Sequence, residues 1–307
     1  MTQYMINYSI IIPQRNSLNT LPRLFQSIPQ RDDIEIVLVD NSEVPITKDQ
    51  LQVERDFVLL WSPPQRYAGG ARNVGIENSH GKWLLFADAD DFFPSNAFDF
   101  FDSFLSSSYD LIFFKSESVY DDTLEKSVRS DGFNNHIDNY LASQETEECC
   151  RLSYLVPWGK LIKKELIDKC NIRFDEVLAA NDVVFATKAG FFAESFHVDS
   201  HVAYVITTRR GSLSNRWDYP VIESRFYAAL RRNRFLKDNG LGAYQSSIMI
   251  YLYKSLNYGL AKFFNLLFTA IRYRQNIFVG ASNWFKSYKR IQARDLKNKA
   301  YITSREE

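Results

Sequence analysis

Short apolar runs alternate with segments of helical periodicity over roughly the first 115 residues of the chain. Such alternation predicts an α/β domain with a mostly parallel central sheet flanked by helices. One predicted helix covers residues 18–28, and Gly69-Gly70 opens another that ends near Asn78. The predicted strands are residues 8–13, 34–39, 57–61, 82–87 and 111–115.

The pattern becomes less regular in the middle of the chain and purely helical towards its end. Residues 116–150 are polar and predict loops, whereas 158–169 and 181–193 have helical periodicity. Two further strands are predicted at 196–199 and 202–207, and helices alone are expected beyond about residue 216. The expected domains are residues 1–215, with halves 1–115 and 116–215, and a C-terminal helical region, 216–307.

The C-terminal region contains an amphipathic segment at residues 251–271, within the stretch 244–290. Lys254 and Lys262 interrupt what would have to be about 20 apolar residues to span a bilayer. A helix packed on the protein is therefore favoured, and an interfacial helix lying on a bilayer is the alternative. In that alternative, cationic side chains would face anionic lipid. They are Arg272, Arg274, Lys286, Lys289 and Arg290.

Composition narrows the functional classes. The chain has 37 Lys and Arg residues against 37 Asp and Glu residues, so no global field attracts nucleic acid. Its three cysteines, Cys149, Cys150 and Cys170, are an odd number without C-x-x-C spacing, which disfavours a disulfide framework or a zinc site. This cysteine usage and the lack of a signal-peptide pattern at the N-terminus predict a cytoplasmic protein.

Three carboxylates, those of Asp88, Asp90 and Asp91, follow the predicted strand 82–87. Carboxylates this close repel one another unless a positive charge lies between them. A divalent hard cation that takes carboxylate and phosphate oxygens as ligands would supply that charge. An acidic turn before a helix that starts near Pro94 is an equally good interpretation of the run taken alone.

Polar clusters also follow other predicted strands. Ligands of a doubly wound sheet bind outside the carboxyl ends of its strands, so we expect these clusters at one edge. A glycine pair at a helix N-terminus suits an anion, and the first strand lacks the G-x-G-x-x-G turn of dinucleotide sites. The edge therefore predicts a site for a nucleoside diphosphate and a metal ion. The clusters are Pro13-Gln14-Arg15-Asn16, Asp40-Asn41-Ser42, Gly69-Gly70-Ala71-Arg72-Asn73 and Asp88-Ala89-Asp90-Asp91.

Six motifs occur in an order that resembles the inverting family 2 glycosyltransferases, which have a GT-A fold. The resemblance runs from Tyr8 to about Ser214, roughly two-thirds of the chain. Each motif is weak by itself, but the ordered set is specific. The motifs are SIIIP with Asn16, IVLVD ending at Asp40, GGARNVGIENSHGKWLLFADADD (69–91), WGKLIKKELI (158–167), NDVVF (181–185) and RRGSLS (209–214).

The resemblance implies roles for the residues at the sheet edge. Asp40 would contact the base of a nucleotide sugar, and Arg72 would lie against the base or the diphosphate. Asp88 would approach the ribose or the water shell of the metal, and Asp90 would bind the metal, Mg²⁺ or Mn²⁺, directly. The metal would neutralise charge on the departing nucleoside diphosphate. The remaining donor-site residues would be Pro13, Asn16 and Ala89.

Inversion also needs a base that removes the proton of the acceptor hydroxyl. Family members usually have an acidic pair at this position, and this chain has Asn181 and Asp182. Asp182 matches the expected base, although an acidic residue at a helix N-terminus is the plain alternative. Asn41 is a second departure, because many relatives have an Asp there. The donor nucleotide therefore stays open between UDP and dTDP.

Several residues are weaker candidates for the acceptor site. Asp91 would support the acidic turn or contact the acceptor. Trp158 could stack on a sugar, with Lys160 beside it, but a core tryptophan is equally expected. Arg209 and Arg210 could close over the diphosphate as a lid, and solvated surface arginines are the alternative.

The resemblance implies transfer of one sugar onto a saccharide or lipid-linked saccharide, as in the assembly of bacterial capsule, lipopolysaccharide or O-antigen. Such an enzyme would be cytoplasmic, or peripheral on the inner face of the cell membrane. One alternative is a sugar nucleotidyltransferase, which would need a glycine-rich G-T-R loop where this chain has residues 13–16. A non-catalytic sugar-binding protein on the same fold is the other.

Overall fold

The computed structural model describes residues 5–51, 53–209 and 212–279, together with 288, 289, 292, 293 and 296. The chain divides into two compact units, and the second of them is formed by two separate segments. The first unit comprises Met1–Val177 and Val184–Thr208, and the second comprises Leu178–Val183 and Arg209–Glu307.

The first unit contains a mixed sheet. Its strands are β1 (Tyr8–Gln14), β2 (Ile34–Asp40), β3 (Val58–Trp61), β4 (Trp83–Phe86), β5 (Leu111–Tyr120), β6 (Lys160–Lys163) and β7 (Phe196–Thr208). Among the described residues, these seven strands lie in the order β3-β2-β1-β4-β6-β5-β7. Strand β1 is parallel to β2 and β4, β2 is parallel to β3, and β5 is parallel to β7. Only β6 is antiparallel to its neighbours, so the expected mostly parallel sheet is confirmed.

Helices flank this sheet. They are α1 (Leu21–Ser27), α2 (Tyr67–Glu77), α3 (Ala97–Asp102), α4 (Asp131–Leu141), α5 (Glu147–Ser153), α6 (Lys164–Lys169) and α7 (Val183–Phe192). Helix α2 packs closely on β1, because Gly75 presents no side chain to Ile11. Every residue of β1 is buried, as the continuous apolar run predicted for a strand covered on both faces.

Three sequence predictions for the first unit were wrong. Residues 158–169 do not form one helix, because Lys160–Lys163 is strand β6, whose buried Leu161 and Ile162 pair with β5. Residues 116–150 are not all loop, since they contain the end of β5, helix α4 and the start of α5. The two strands expected near residue 200 are one continuous strand, β7.

The second unit is helical in its described part. Its helices are α8 (Tyr219–Asp238), α9 (Met249–Ser255) and α10 (Leu260–Arg272). Ile222, Phe226, Leu252 and Leu266 belong to their shared core. Arg232 is buried in α8, where its guanidinium donates to the carbonyl of Tyr244 at 3.0 Å. Burial lowers the pKa of Arg232 to about 10.

None of the helices in the described part of the chain is both long enough and apolar enough to cross a bilayer.

The close packing of α2 on β1 leaves no room for a methyl group at position 75. In Gly75→Ala the new Cβ would overlap Cγ2 of Ile11, which is fully buried. We expect the free energy of unfolding to fall by about 1–3 kcal/mol, as for other overpacked cores. Urea denaturation measures the change.

Gly132→Ala is the matched control. Gly132 is exposed in α4, and apart from its chain neighbours and the backbone of its own helix, no atom of the described residues lies within 4 Å of the Cβ that alanine would add. Alanine is a better helix former than glycine by about 1 kcal/mol, so this variant should be at least as stable as the wild type. Equal stabilities for the two variants would contradict the packing argument.

Candidate functional site

The carboxyl ends of β2, β1 and β4 lie side by side, because these strands are parallel neighbours. Asp40 is the last residue of β2 and is paired in register with Gln14, the last residue of β1. The acidic turn 88–91 follows β4 on the other side of β1. The fold thus brings the predicted strand-end clusters to one edge of the sheet.

Asp40 organises the loop that follows β2. Its Oδ1 accepts from Nε2 of Gln14 at 2.5 Å and from the amide of Ser42 at 3.0 Å. Its Oδ2 accepts from the amide of Ile46 at 2.8 Å. Asp40 is 1% exposed, so these three bonds hold a buried carboxylate in place.

Gln14 is a supporting residue that sequence reasoning placed at the edge without assigning it a role. Its amide nitrogen binds Asp40, and its amide oxygen accepts from the amide of Ser17 at 3.1 Å. A neutral amide carries no charge signal, which is why the sequence pattern did not single it out. Beside it, Pro13 is buried within β1, and Asn16 is exposed with a positive φ of 55°.

Asn41, the departure noted in the sequence, has a structural role. Its side-chain amide donates to the carbonyls of Ser62 at 3.1 Å and Pro63 at 2.8 Å. An aspartate would bring acceptors to these two carbonyls, so this chain binds the segment after β3 in a way that requires an amide.

Arg72 and Asp88 form an ion pair across the edge. Nη2 of Arg72 lies 2.5 Å from Oδ1 of Asp88, and the two side chains are 8% and 29% exposed. The guanidinium of Arg72 also lies over the ring of Phe174, 5.3 Å from its centre. The pair therefore puts a fixed positive charge next to the acidic turn, as a site for an anionic ligand requires.

Hydrogen bonds of residues near Arg72 anchor helix α2 and so fix the position of Arg72. Asn73 exchanges two hydrogen bonds with the backbone of Phe174, at 3.0 and 2.8 Å. Arg66 binds Glu176 with two hydrogen bonds, at 2.8 and 2.5 Å. A Cβ on Gly70 would overlap Cβ of Arg66, so the second glycine of the predicted pair permits this helix start.

Three side chains fix the backbone of the acidic turn. They belong to Thr20, which directly precedes α1, to Arg23 of α1 and to Thr207 of β7. The carbonyl of Ala89 accepts from Thr20 at 2.7 Å. The carbonyl of Asp90 accepts from Nη2 of Arg23 at 2.7 Å and from Oγ1 of Thr207 at 2.9 Å. Sequence reasoning missed these partners, because nothing along the chain marks a contact between residues more than 60 positions apart.

Asp91 lies beneath the turn. Its carboxylate accepts from the amide of Thr207 at 2.7 Å and from the hydroxyl of Tyr204 at 3.0 Å. Burial, followed by the charges of Asp90 and Asp88, raises the pKa of Asp91 well above its usual value. Asp91 is 1% exposed, and its contacts favour the turn-supporting role. Acceptor contact by Asp91 stays a prediction.

The donor set of the turn fits a hard divalent ion. Asp88 and Asp90 are both partly exposed, and carboxylate oxygens are the ligands that Mg²⁺ and Mn²⁺ prefer. Mg²⁺ commonly uses only one or two carboxylates and completes its shell with water and substrate phosphates. The two residues named from the sequence therefore offer a suitable pair of ligands.

Two residues expected near the acceptor lie in the core instead. Trp158 is 3% exposed and stacks on Tyr204 with ring centres 5.6 Å apart. Lys160 is 2% exposed, and its ammonium donates to the carbonyl of Tyr154 at 2.7 Å. The core alternative for the tryptophan is the arrangement observed, since neither side chain has surface to offer a sugar.

Two further candidates belong to the second unit. Asp182 follows the buried Asn181, directly before α7, and is partly exposed. Arg209 is exposed at the end of β7. Arg210 lies outside the described residues.

The sequence and the fold of this chain are both similar to those of known proteins. The family described as "Glycosyl transferase family 2" matches residues 9–170. Poly(ribitol-phosphate) beta-N-acetylglucosaminyltransferase TarS of Staphylococcus aureus is 26% identical over 216 residues, which are 67% of this chain and 36% of TarS. The chain thus spans about a third of the length of that relative.

Solved structures share the fold. TarS residues 1–349 in complex with UDP-GlcNAc superpose with a TM-score of 0.66 at 20% identity, over 95% of this chain and 89% of the other. The mannosyltransferase PcManGT of Pyrobaculum calidifontis, in complex with GDP-Man and Mn²⁺, gives a TM-score of 0.53 at 14% identity, over 99% and 89%. The likeness to these glycosyltransferases confirms the expected GT-A fold class.

The hydroxyl of Tyr204 makes two hydrogen bonds to the acidic turn, and their loss should lower the stability of the protein. It accepts from the amide of Asp88 at 2.8 Å and donates to Asp91. Tyr204→Phe removes both bonds and leaves the buried carboxylate of Asp91 without one of its donors, so we expect the free energy of unfolding to fall by about 1–3 kcal/mol. Urea denaturation measures the loss.

Tyr109→Phe is the control for the same chemical change. The ring of Tyr109 stacks on His197, and its hydroxyl has no hydrogen-bond partner among the described residues. Its stability should stay within about 0.5 kcal/mol of the wild type. A Tyr204→Phe variant as stable as Tyr109→Phe would show that the hydroxyl does not hold the turn.

Proposed function

Because the chain belongs to glycosyl transferase family 2, we propose that it transfers one sugar from a nucleoside-diphosphate donor to a saccharide or lipid-linked saccharide. Transfer would invert the anomeric carbon. The observation that carries the proposal is the acidic turn after β4, with Asp88 paired to Arg72 at 2.5 Å on the edge that Asp40 also lines. Carboxylates for a metal and a guanidinium for phosphate are the two groups that a metal–diphosphate donor requires.

Asp40 is the proposed contact for the donor base, with Pro13, Asn16 and Ala89 around it. A carboxylate has about four acceptor positions, and three protein hydrogen bonds to Asp40 are described. The fourth position would receive an N–H group of the base once the loop that follows β2 shifts on donor binding, because Asp40 is buried without the donor. The solved relative that binds UDP-GlcNAc favours uridine over deoxythymidine as the nucleoside.

Asp90 and Asp88 are the proposed ligands of Mg²⁺ or Mn²⁺. A bound metal would neutralise charge on the departing diphosphate. Arg72 holds one oxygen of Asp88, so it positions that carboxylate and adds positive charge of its own. The fold relative that binds GDP-Man and Mn²⁺ supports use of a divalent metal.

Asp182 is the proposed general base, and Arg209 with Arg210 the proposed lid. Asp182 is partly exposed, as a group that must receive a proton from an acceptor has to be. A carboxylate that directly precedes a helix can interact with the helix dipole and still face an acceptor. Its role as base is therefore compatible with the helical alternative.

The setting we propose is the assembly of a bacterial surface polysaccharide. The name of the relative TarS, which acts on poly(ribitol-phosphate), supports a surface polymer as acceptor. The enzyme would be cytoplasmic or peripheral on the inner face of the membrane. For the peripheral alternative, α10 offers Leu260, Phe264, Phe268 and Ile271 as exposed apolar residues, and Lys286 and Arg290 lie outside the described residues.

Asp90→Ala tests the metal site. Two of the bonds that fix the turn go to the carbonyl oxygen of Asp90, which alanine keeps. We therefore expect a folded protein whose hydrolysis of UDP-GlcNAc in Mn²⁺ falls about 100-fold or more, the size of effect seen when charge stabilisation is removed. Release of UDP measures the rate, and calorimetry should show weaker Mn²⁺-dependent binding of UDP.

Asp99→Ala is the matched control, since Asp99 is exposed in α3. It should hydrolyse UDP-GlcNAc like the wild type. A panel of other nucleotide sugars, with and without Mn²⁺, identifies the donor if UDP-GlcNAc is not turned over. Wild-type turnover by Asp90→Ala with the best donor would refute the metal assignment.

Asp182→Asn separates the base from the donor site. Asparagine has the same shape but cannot accept a proton, so hydrolysis of the donor, in which water replaces the acceptor, should fall by about 100-fold or more. Binding of UDP with Mn²⁺ should be unchanged, in contrast to Asp90→Ala. Asp168→Asn, an exposed site in α6, is the control, and normal hydrolysis by Asp182→Asn would mean that another group is the base.

A further inference from the structure

A second cluster of metal-binding side chains lies away from the acidic turn, between α4 and α5. His136 is in α4, Cys149 is in α5, and Glu145 lies in the connection between them. Their ligand atoms all lie within 4.8 Å of one another. Among the described residues, this is the one group of three or more His, Cys, Asp or Glu residues with that geometry.

The distances suit a small tetrahedral ion. Nδ1 of His136 lies 3.1 Å from Oε2 of Glu145. Two atoms bound to zinc at about 2.0–2.1 Å with tetrahedral angles are about 3.4 Å apart. Closing around an ion would thus require shifts of a few tenths of an ångström for this pair.

The second oxygen of Glu145 is already held. Nδ2 of Asn139 donates to Oε1 of Glu145 at 3.0 Å, and the carbonyl of Asn139 accepts from the amide of Glu145 at 3.2 Å. Outer contacts of this kind orient the carboxylate ligands of metal sites. Asn139 therefore fixes one ligand before any ion is bound.

The chemistry of the group selects the class of ion. Sulfur and imidazole ligands suit zinc and related transition metals, whereas Mg²⁺ and Ca²⁺ prefer oxygen alone. The three side chains are only partly buried, and the neighbouring residues 141–144 are exposed, so an ion can reach them.

We propose that His136, Glu145 and Cys149 bind a zinc ion, with a solvent molecule as fourth ligand. The ion would join α4 to α5, which belong to the segment that sequence reasoning described as polar loop. This site is separate in its ligands and in its preferred metal from the carboxylates of the acidic turn. Its existence does not depend on the proposed sugar transfer.

Co²⁺ is the probe that tests the site, because its bond to a thiolate gives a charge-transfer absorption band that oxygen ligands do not give. Purified full-length protein is stripped with a chelator and titrated with Co²⁺ in excess Mg²⁺, which fills sites made of oxygen ligands. We expect one equivalent to produce the thiolate band, and Zn²⁺ to abolish it by displacement. Absence of the band in wild-type protein would refute the proposal.

Cys149→Ser should lose the band, and Cys170→Ser should keep it. Cys170 is also partly buried but lies after α6, outside the cluster. Asn139→Ala should weaken Zn²⁺ binding by about 10- to 100-fold, as loss of an outer contact does at other metal sites. A band of full strength in Cys149→Ser would also refute the assignment.

A further measurement on wild-type protein does not depend on the folding of any variant. Zn²⁺ should protect Cys149 from alkylation and leave Cys170 unprotected, as peptide mass spectrometry can show. Equal modification of Cys149 with and without Zn²⁺ would mean that the three side chains form only a hydrogen-bonded contact between two helices.

Discussion

Repulsion among three carboxylates within four residues is the constraint on which the first unit depends. The protein removes one carboxylate from water by placing Asp91 beneath the turn, where burial raises its pKa. It pairs a second, that of Asp88, with Arg72. The turn can then present Asp88 and Asp90 at the edge of the sheet with their backbone held rigidly. Such rigidity is what a charge-stabilising site requires, since its groups need no rearrangement during reaction.

The residues that satisfy this constraint come from distant parts of the chain. Thr20 and Arg23 bind carbonyls of the turn from one side, and Tyr204 and Thr207 of β7 bind it from the other. Because β7 is the last strand of the sheet along the chain, the turn reaches its final form only when the whole first unit has folded. A substitution that removes these contacts would thus change both the stability of the fold and the geometry of the site.

The strands around the site could be predicted because their apolar runs are continuous. The predicted strands 8–13, 34–39 and 82–87 correspond to β1, β2 and β4, and the carboxyl ends of β2 and β4 placed Asp40 and the acidic run correctly at one edge. The order of motifs then supplied the family, which no single motif could.

The failures have physical causes. Residues 158–169 have a helical pattern, yet Lys160–Lys163 forms a strand, because Leu161 and Ile162 are buried and pair with β5. Helix α4 was missed although Phe133, Ile137, Tyr140 and Leu141 recur at helical spacing. These residues stand among polar ones, and the polarity of the segment led to its interpretation as loop. The cluster of His136, Glu145 and Cys149 was missed because cysteine spacing alone cannot show which histidine and glutamate the fold brings to a thiol.

The division of the chain into a continuous sheet and a second unit made of two segments has a consequence for synthesis on the ribosome. Ala179 is bound through both its amide and its carbonyl to the hydroxyl of Ser224 in α8, at 3.0 and 2.8 Å. A nascent chain that has emerged only as far as Thr208 already has all seven described strands. It still lacks the partner that anchors the segment carrying Asp182. The proposed donor-site residues would therefore be in place during translation before the segment that carries the proposed base.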